Sequence, residues 1–191
     1  MSLEKELKYK VENPIDLDLD DVSWEDRGTK ELRHVVRAII IEGDKLVFVH
    51  VDRNDAFGSL TYIETSGGGV EPEEDNRAGL KRELKEELGI DVEILAYLGQ
   101  VRDYYHLINR KNINDYYLVR VTGHGERNLT QDEIKKWHLT DIRLSYAYAE
   151  SIYKDMVSSK LSLLVSNREL PVLKKAKQVI DKYNLMEAEE R

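Results

Sequence analysis

Glu83, Glu86 and Glu87 stand at positions i, i+3 and i+4 of a stretch with helical periodicity, so they project from one side of a helix. Three like charges at this spacing repel by roughly 0.2–0.5 kcal/mol per pair on an isolated helix. Arg82, four residues before Glu86, offers the local relief. A cluster of carboxylate oxygens suits a hard divalent cation such as Mg2+, whose octahedral shell is usually completed by waters and substrate phosphates. Upstream, Gly67, Gly68 and Gly69 let the backbone approach a ligand closely, and a peptide carbonyl there can join a metal shell. A strand, a glycine turn and a helix with three convergent glutamates make a candidate diphosphate–metal site. The metal would neutralise the diphosphate, polarise phosphorus and lower the pKa of an attacking water. An acidic run on a helix is by itself usually a solvated face, and a glycine triplet by itself usually a turn. Their joint spacing is what sets this stretch apart.

The surrounding pattern supplies the elements that position these groups. Val35–Ile41 and Lys45–Val51 are β-branched runs separated by Glu42-Gly43-Asp44, and they read as a hairpin. Asp52–Gly58 reads as a polar loop, and Leu60–Thr65 as a strand leading into the glycines. Pro72, then Glu73, Glu74 and Asp75, suit a helix start, and Gly89 suits its stop. Leu80, Leu84 and Leu88 form one apolar stripe that can dock this helix on a sheet. Strands are expected at Val92–Tyr105 and Tyr116–Thr122, with a polar loop at Asn109–Asn114 between them. Trp137-His138-Leu139 is a candidate short strand. In the last helix Val172, Leu173, Ala176, Val179, Ile180 and Tyr183 share a face, with Pro171 in its first turn. The expected organisation is an N-terminal arm over residues 1–30, a core over 31–149 and a helical extension over 150–191 packed on the core. Within the arm, Ile15, Leu17 and Leu19 alternate with aspartates, as an edge strand or a solvated loop would.

Composition narrows the function. The 191 residues carry 29 Lys and Arg against 37 Asp and Glu, a net charge of -8, which disfavours duplex nucleic acid as a partner. The absence of cysteine excludes disulfides, thiolate zinc sites, iron–sulfur clusters and a cysteine nucleophile. No apolar run approaches a membrane span and no signal-peptide core stands at the N-terminus, so a soluble cytoplasmic protein is expected.

The residues from Gly68 to Ile90 resemble the signature of the Nudix hydrolase family, MutT-like proteins. The signature reads Gly-x5-Glu-x7-Arg-Glu-U-x-Glu-Glu-x-Gly-U with U aliphatic, and Gly68, Glu74, Arg82, Glu83, Leu84, Glu86, Glu87, Gly89 and Ile90 meet every defined position. A looser resemblance runs from about Arg33 to Asp141. It implies an α/β fold, a Nudix-type α/β/α sandwich with a mixed β-sheet. It also implies Mg2+- or Mn2+-dependent hydrolysis of a nucleoside diphosphate linked to another moiety. By the same resemblance Glu83, Glu86 and Glu87 are metal-ligand positions, and the Gly68 carbonyl is a further ligand. Arg82 orients the glutamates, and Glu74 supports them. Ser66 stands where the family often has proline, and Glu73 where it often has glycine.

Substrate contacts are sought around this box. Glu64 resembles a glutamate that precedes the glycine turn in ADP-ribose-type members. Tyr104 and Tyr105 fall where dinucleoside polyphosphate members tend to carry a tyrosine and could stack a base. Arg110 is a candidate for a distal phosphate. Glu133, ahead of Trp137, is a candidate extra catalytic glutamate. The expected partner is a small nucleotide, with the arm and terminal helices as further walls or a homodimer surface. A nucleotide-sensing regulator on the same fold and an RNA 5′-end pyrophosphohydrolase are the rival readings.

Overall fold

The computed structural model describes residues 7–130, 134 and 138–186. Its centre is a mixed sheet of strands β1 (Ile15–Leu19), β2 (Glu31–Glu42), β3 (Lys45–Asp55), β4 (Gly58–Glu64), β5 (Ser66–Gly69), β6 (Ile90–Tyr105), β7 (Arg110–His124) and β8 (Thr140–Leu144). The main order is β1-β6-β7-β2-β3-β4, with β5 on β2 and β8 on β3. The β1–β6 and β2–β7 pairs are parallel, and the other pairs are antiparallel. Helices α1 (Asn76–Leu88), α2 (Tyr146–Asp155) and α3 (Lys160–Tyr183) cover it. The two faces of β2 show the layering. Val36 points to α1, where a methyl group on Gly79 would touch it at 3.7 Å. Val35 and Arg37 point the other way, into a cavity shared with α3. This is the expected α/β/α sandwich.

Local chemistry sets the boundaries of α1. Asp75 caps it, accepting from the N–H groups of Arg77 and Ala78, and Gly89 ends it in the left-handed region at φ 68°. Leu80, Leu84 and Leu88 are all buried, as their spacing predicts. Glu73 and Glu74 lie before the helix rather than in its first turn, because the Asp75 side chain satisfies the first free N–H groups.

Several expectations change. The glycines are not a turn but strand β5, running antiparallel to β2. Gly67 lies so close to β2 that a side chain there would meet the Arg37 Cα at 2.8 Å, so the pairing itself requires glycine. The expected loop at Asn109–Asn114 is mostly strand. Residues 110–114 pair with both β2 and β6, which turns the polar side chains of Asn112 and Asn114 inward. Likewise β3 continues to Asp55, leaving only a tight tip before Gly58. His138 and Leu139 precede strand β8 rather than forming it, and Trp137 lies outside the described residues. Pro171 sits inside α3, which starts at a capping box on Ser159. An internal proline costs about 3 kcal/mol, and the long buried face from Leu161 to Ile180 offsets it.

Within the described part of the arm, the aspartates have partners. Asp16 and Asp18 bond Arg102 at 2.8 and 3.0 Å. Asp20 and Asp26 flank the His106 ring at 3.1 and 3.5 Å, while Asp21 accepts from the His106 N–H at 2.9 Å. Among the described residues, no helix is long and apolar enough to cross a membrane.

Candidate active site

Helix α1 and strand β5 bring the box residues together. Arg82 is the hub. Its guanidinium donates to Glu74 at 2.9 and 3.0 Å, to Glu83 at 2.8 Å, to Glu86 at 3.2 Å and to the Gly69 carbonyl at 2.9 Å. That fan ties the helix to the glycine strand. Its hydrogen bonds hold the Glu74 carboxyl below its ordinary pKa. Glu87 is buried, and its Oε2 accepts from the Ser66 hydroxyl and, at 3.0 Å, from the Gly67 N–H. Burial pushes its pKa up to about 8, against the pull of those two donors. Burial also raises Glu83. The Glu83 carboxylate fills the space beside Gly68, where a methyl group would approach its Oε1 to 2.6 Å. Glycine at 68 therefore leaves the strand backbone and the Glu83 carboxylate face to face.

The donor set is hard oxygen throughout, and it suits Mg2+ or Mn2+ by type and by place. Among the described residues no three His, Cys, Asp or Glu side chains already converge as a metal cage. The hydrogen bonds explain this. Arg82 draws Glu83 and Glu86 to itself, while Glu87 is turned onto Ser66 and Gly67. Rotation of the carboxylates away from these partners is what a cation would have to induce.

Glu83 and Glu87 form one side of a cavity of about 200 Å3. Five arginines also line it: Arg33 and Arg37 from β2, Arg53 from β3, Arg110 from β7 and Arg168 from α3. Its apolar part includes Val51, Phe57, Tyr105, Ile108, Leu161 and Val165. At the base, Arg168 is 2% exposed and donates to Glu64 at 2.9 Å, Asp103 at 3.2 Å, Glu169 at 2.8 Å and the Tyr105 hydroxyl at 2.9 Å. Glu64 is shared with Arg37 at 3.4 Å. Arg33, at the mouth, has its pKa lowered by the burial of its guanidinium and then by Arg110 and Arg37.

The expected substrate residues separate accordingly. Glu64, Tyr105 and Arg110 line the cavity. Tyr104 does not, because successive β6 residues face opposite sides; it stacks near His106 at 5.9 Å and under Lys111 at 4.7 Å. Glu86 belongs to the box but is outside the cavity lining. Glu133 lies outside the described residues. Sequence reasoning overlooked Arg33, Arg37, Arg53 and Asn112, and it offered the terminal helices as walls without naming Arg168 or any other α3 residue. A signal existed for α3: Val165, Arg168, Glu169 and Val172 fall at i, i+3, i+4 and i+7, which puts two charges in a buried stripe.

The NUDIX domain family model matches residues 32–156, and this chain belongs to that family. It is an enzyme of the Nudix hydrolase class, a pyrophosphohydrolase. Members of this class generally use divalent metal ions. Solved structures with the same fold include a NUDIX hydrolase from Nitrosomonas europaea, with TM-score 0.59 and 15% identity, covering 78% of this chain and 90% of that one. The MutT protein from Methanosarcina mazei Go1 gives 0.53 and 20%, covering 82% and 97%. A protein described as an ADP compounds hydrolase gives 0.53 and 19%, covering 82% and 76%. No curated protein sequence matches the chain. The family match ends before α3 begins.

Proposed function

We propose that the chain is a metal-dependent hydrolase that cleaves the diphosphate linkage of a nucleoside diphosphate joined to another moiety. The observation that carries this reading is the meeting of Glu83 and Glu87 with an arginine-lined cavity across Gly67 and Gly68. Glu83, Glu86, Glu87 and the Gly68 carbonyl would hold Mg2+ or Mn2+. The ion supplies charge neutralisation of the diphosphate and activation of water. Arg82 keeps the carboxylates within reach of one another, and Glu74 anchors Arg82. Glu83, which lines the cavity, would take the proton of the attacking water. The likeness to an ADP compounds hydrolase supports a nucleotide substrate. The cavity is smaller than the roughly 300–1,000 Å3 of typical small-molecule sites, so it receives one moiety while the remainder lies across the mouth.

The test is a panel of nucleoside diphosphate derivatives with Mg2+ and with Mn2+, following release of nucleoside monophosphate. Cleavage of at least one member, abolished by EDTA, is expected. No cleavage of any member with either metal would overturn the reading.

A further inference from the structure

Three of the five cavity arginines are neutralised where they stand. Arg37 bonds Glu64, the Thr65 carbonyl at 2.9 Å and the Asn114 side-chain oxygen at 3.3 Å. Arg53 pairs with Asp55 and donates to the Tyr62 hydroxyl at 3.1 Å. Arg168 is held by Glu64, Asp103 and Glu169. The remaining two differ. Arg33 has no hydrogen bond or ion pair among the described residues. Its guanidinium rests against the glycine strand, where a methyl group on Gly69 would stand 3.2 Å from its Nε and Nη2. Arg110 meets Glu31 at 3.0 Å through one terminal nitrogen, but its Nε is buried without any partner. The nearest box carboxylate, Glu83, is already bonded to Arg82.

The register of the parallel pair puts these groups side by side. Glu31 lies opposite Arg110, and Arg33 lies opposite Asn112 on the adjoining strand. Asn112 is buried, lines the cavity and has no side-chain hydrogen bond among the described residues. Two guanidinium groups and an amide with open donors therefore converge at the cavity mouth, next to the glycine strand. Arg33 is exposed and Arg110 holds Glu31 through one nitrogen alone, so an anion with several acceptor oxygens can bond both without displacing a partner.

From this the geometry points to an anion clamp, made by Arg33, Arg110 and Asn112, that takes the phosphoryl group adjacent to the one held at the glutamate box. This rests on the proposed diphosphate reading for the identity of the anion, but the clamp itself needs no metal. It would orient the diphosphate along the β2–β7 seam and hold the phosphate that is not attacked.

The probe is inorganic pyrophosphate, titrated calorimetrically into the full chain in EDTA. The wild-type protein should bind it. Arg33→Gln and Arg110→Gln should each weaken binding by about tenfold or more, the loss of charge-assisted hydrogen bonds. Lys111→Gln, which removes a positive charge from the opposite side of β7 beside Tyr104, should leave metal-free binding in place. Arg33→Gln should melt as the wild type does, since Arg33 makes no hydrogen bond or ion pair among the described residues, so it decides the matter even if Arg110→Gln folds poorly. Wild-type affinity in Arg33→Gln, or no pyrophosphate binding by the wild-type chain, overturns the clamp. Failure of the diphosphate reading shows elsewhere, as absence of metal-dependent turnover.

Discussion

The β5–α1 wall of the cavity takes all its polar groups from a short stretch of chain. Arg82 and Glu74 are eight residues apart, and Ser66 and Glu87 are 21 apart. The opposite wall is assembled from β2, β4, β6, β7 and α3, and its Arg168–Glu64 pair spans 104 residues. The first wall holds Glu83 and Glu86 on Arg82, and Glu87 on Ser66 and Gly67, partners that a carboxylate rotation can release. The second locks Arg37 and Arg168 with Glu64, Asp103 and Glu169 at its base, and leaves open donors on Arg33 and Arg110. One wall is arranged to exchange partners, and the other to hold shape. The family match covers the first wall but not α3. Helix α3 therefore gives this chain a cavity base that the family motif does not specify, which is where differences of substrate usually reside.

Four substitutions or conditions test that contrast, taken from the largest effect downward. Arg168→Met would leave Asp103 and Glu169 without their cation and Glu64 with Arg37 alone. Breaking a buried ion pair from one side costs about 3–5 kcal/mol, so urea unfolding should show a loss of that order. A cost near zero would mean that the base of the cavity is not held by this network. Leu161→Ala removes a buried side chain from the same wall. It should cost about 2–5 kcal/mol by urea unfolding and leave metal binding to the box unchanged. Arg82→Lys should behave in the opposite way. A lysine cannot reach Glu74, Glu83, Glu86 and the Gly69 carbonyl together, so turnover should fall about 10–100-fold while the unfolding midpoint moves little. If both walls respond alike, the division of labour is wrong.

The smallest effect is a pH dependence of the metal-free protein. Burial raises Glu87 from the ordinary 4.5 to about 8. Below pH 4.5 the folded and unfolded chains both hold this proton, and above about 8 neither does. Between these limits the unfolded chain has released it and the folded chain keeps it. Stability should therefore decline as pH rises through this window. Urea midpoints in EDTA across that range should show the decline in the wild type and a shallower one in Glu87→Gln.

The contrast also explains what could be read from the chain alone. The box was legible because its chemistry is local: glycine spacing, an i, i+3, i+4 carboxylate set and a leucine stripe all belong to one strand and one helix. The hairpin and the α1 helix followed from the same short-range patterns, and the α/β/α layering from the family resemblance that the box carries. The arginine wall was not legible, because Arg33, Arg37, Arg53, Arg110 and Arg168 meet only through strand register and the docking of α3. Residues 110–114 looked like a loop because they are polar; they form a strand because β2 and β6 pair with it on both sides and Asn114 finds Arg37, Asp103 and the Val101 carbonyl inside. The acidic arm was opaque for a related reason. Asp16 and Asp18 find Arg102, and Asp20, Asp21 and Asp26 find His106, only after β1 joins β6.

The central claim is that the α1 carboxylates serve a divalent cation at the mouth of this cavity. It is tested most directly by Mg2+-dependent turnover of Glu87→Gln beside the wild type, with thermal melting of both. The account predicts that the variant melts at or above the wild-type temperature, because an amide replaces a buried carboxyl, and that turnover falls by at least about a hundredfold. Full turnover in the folded variant, or turnover in the wild type that persists in EDTA, would contradict it.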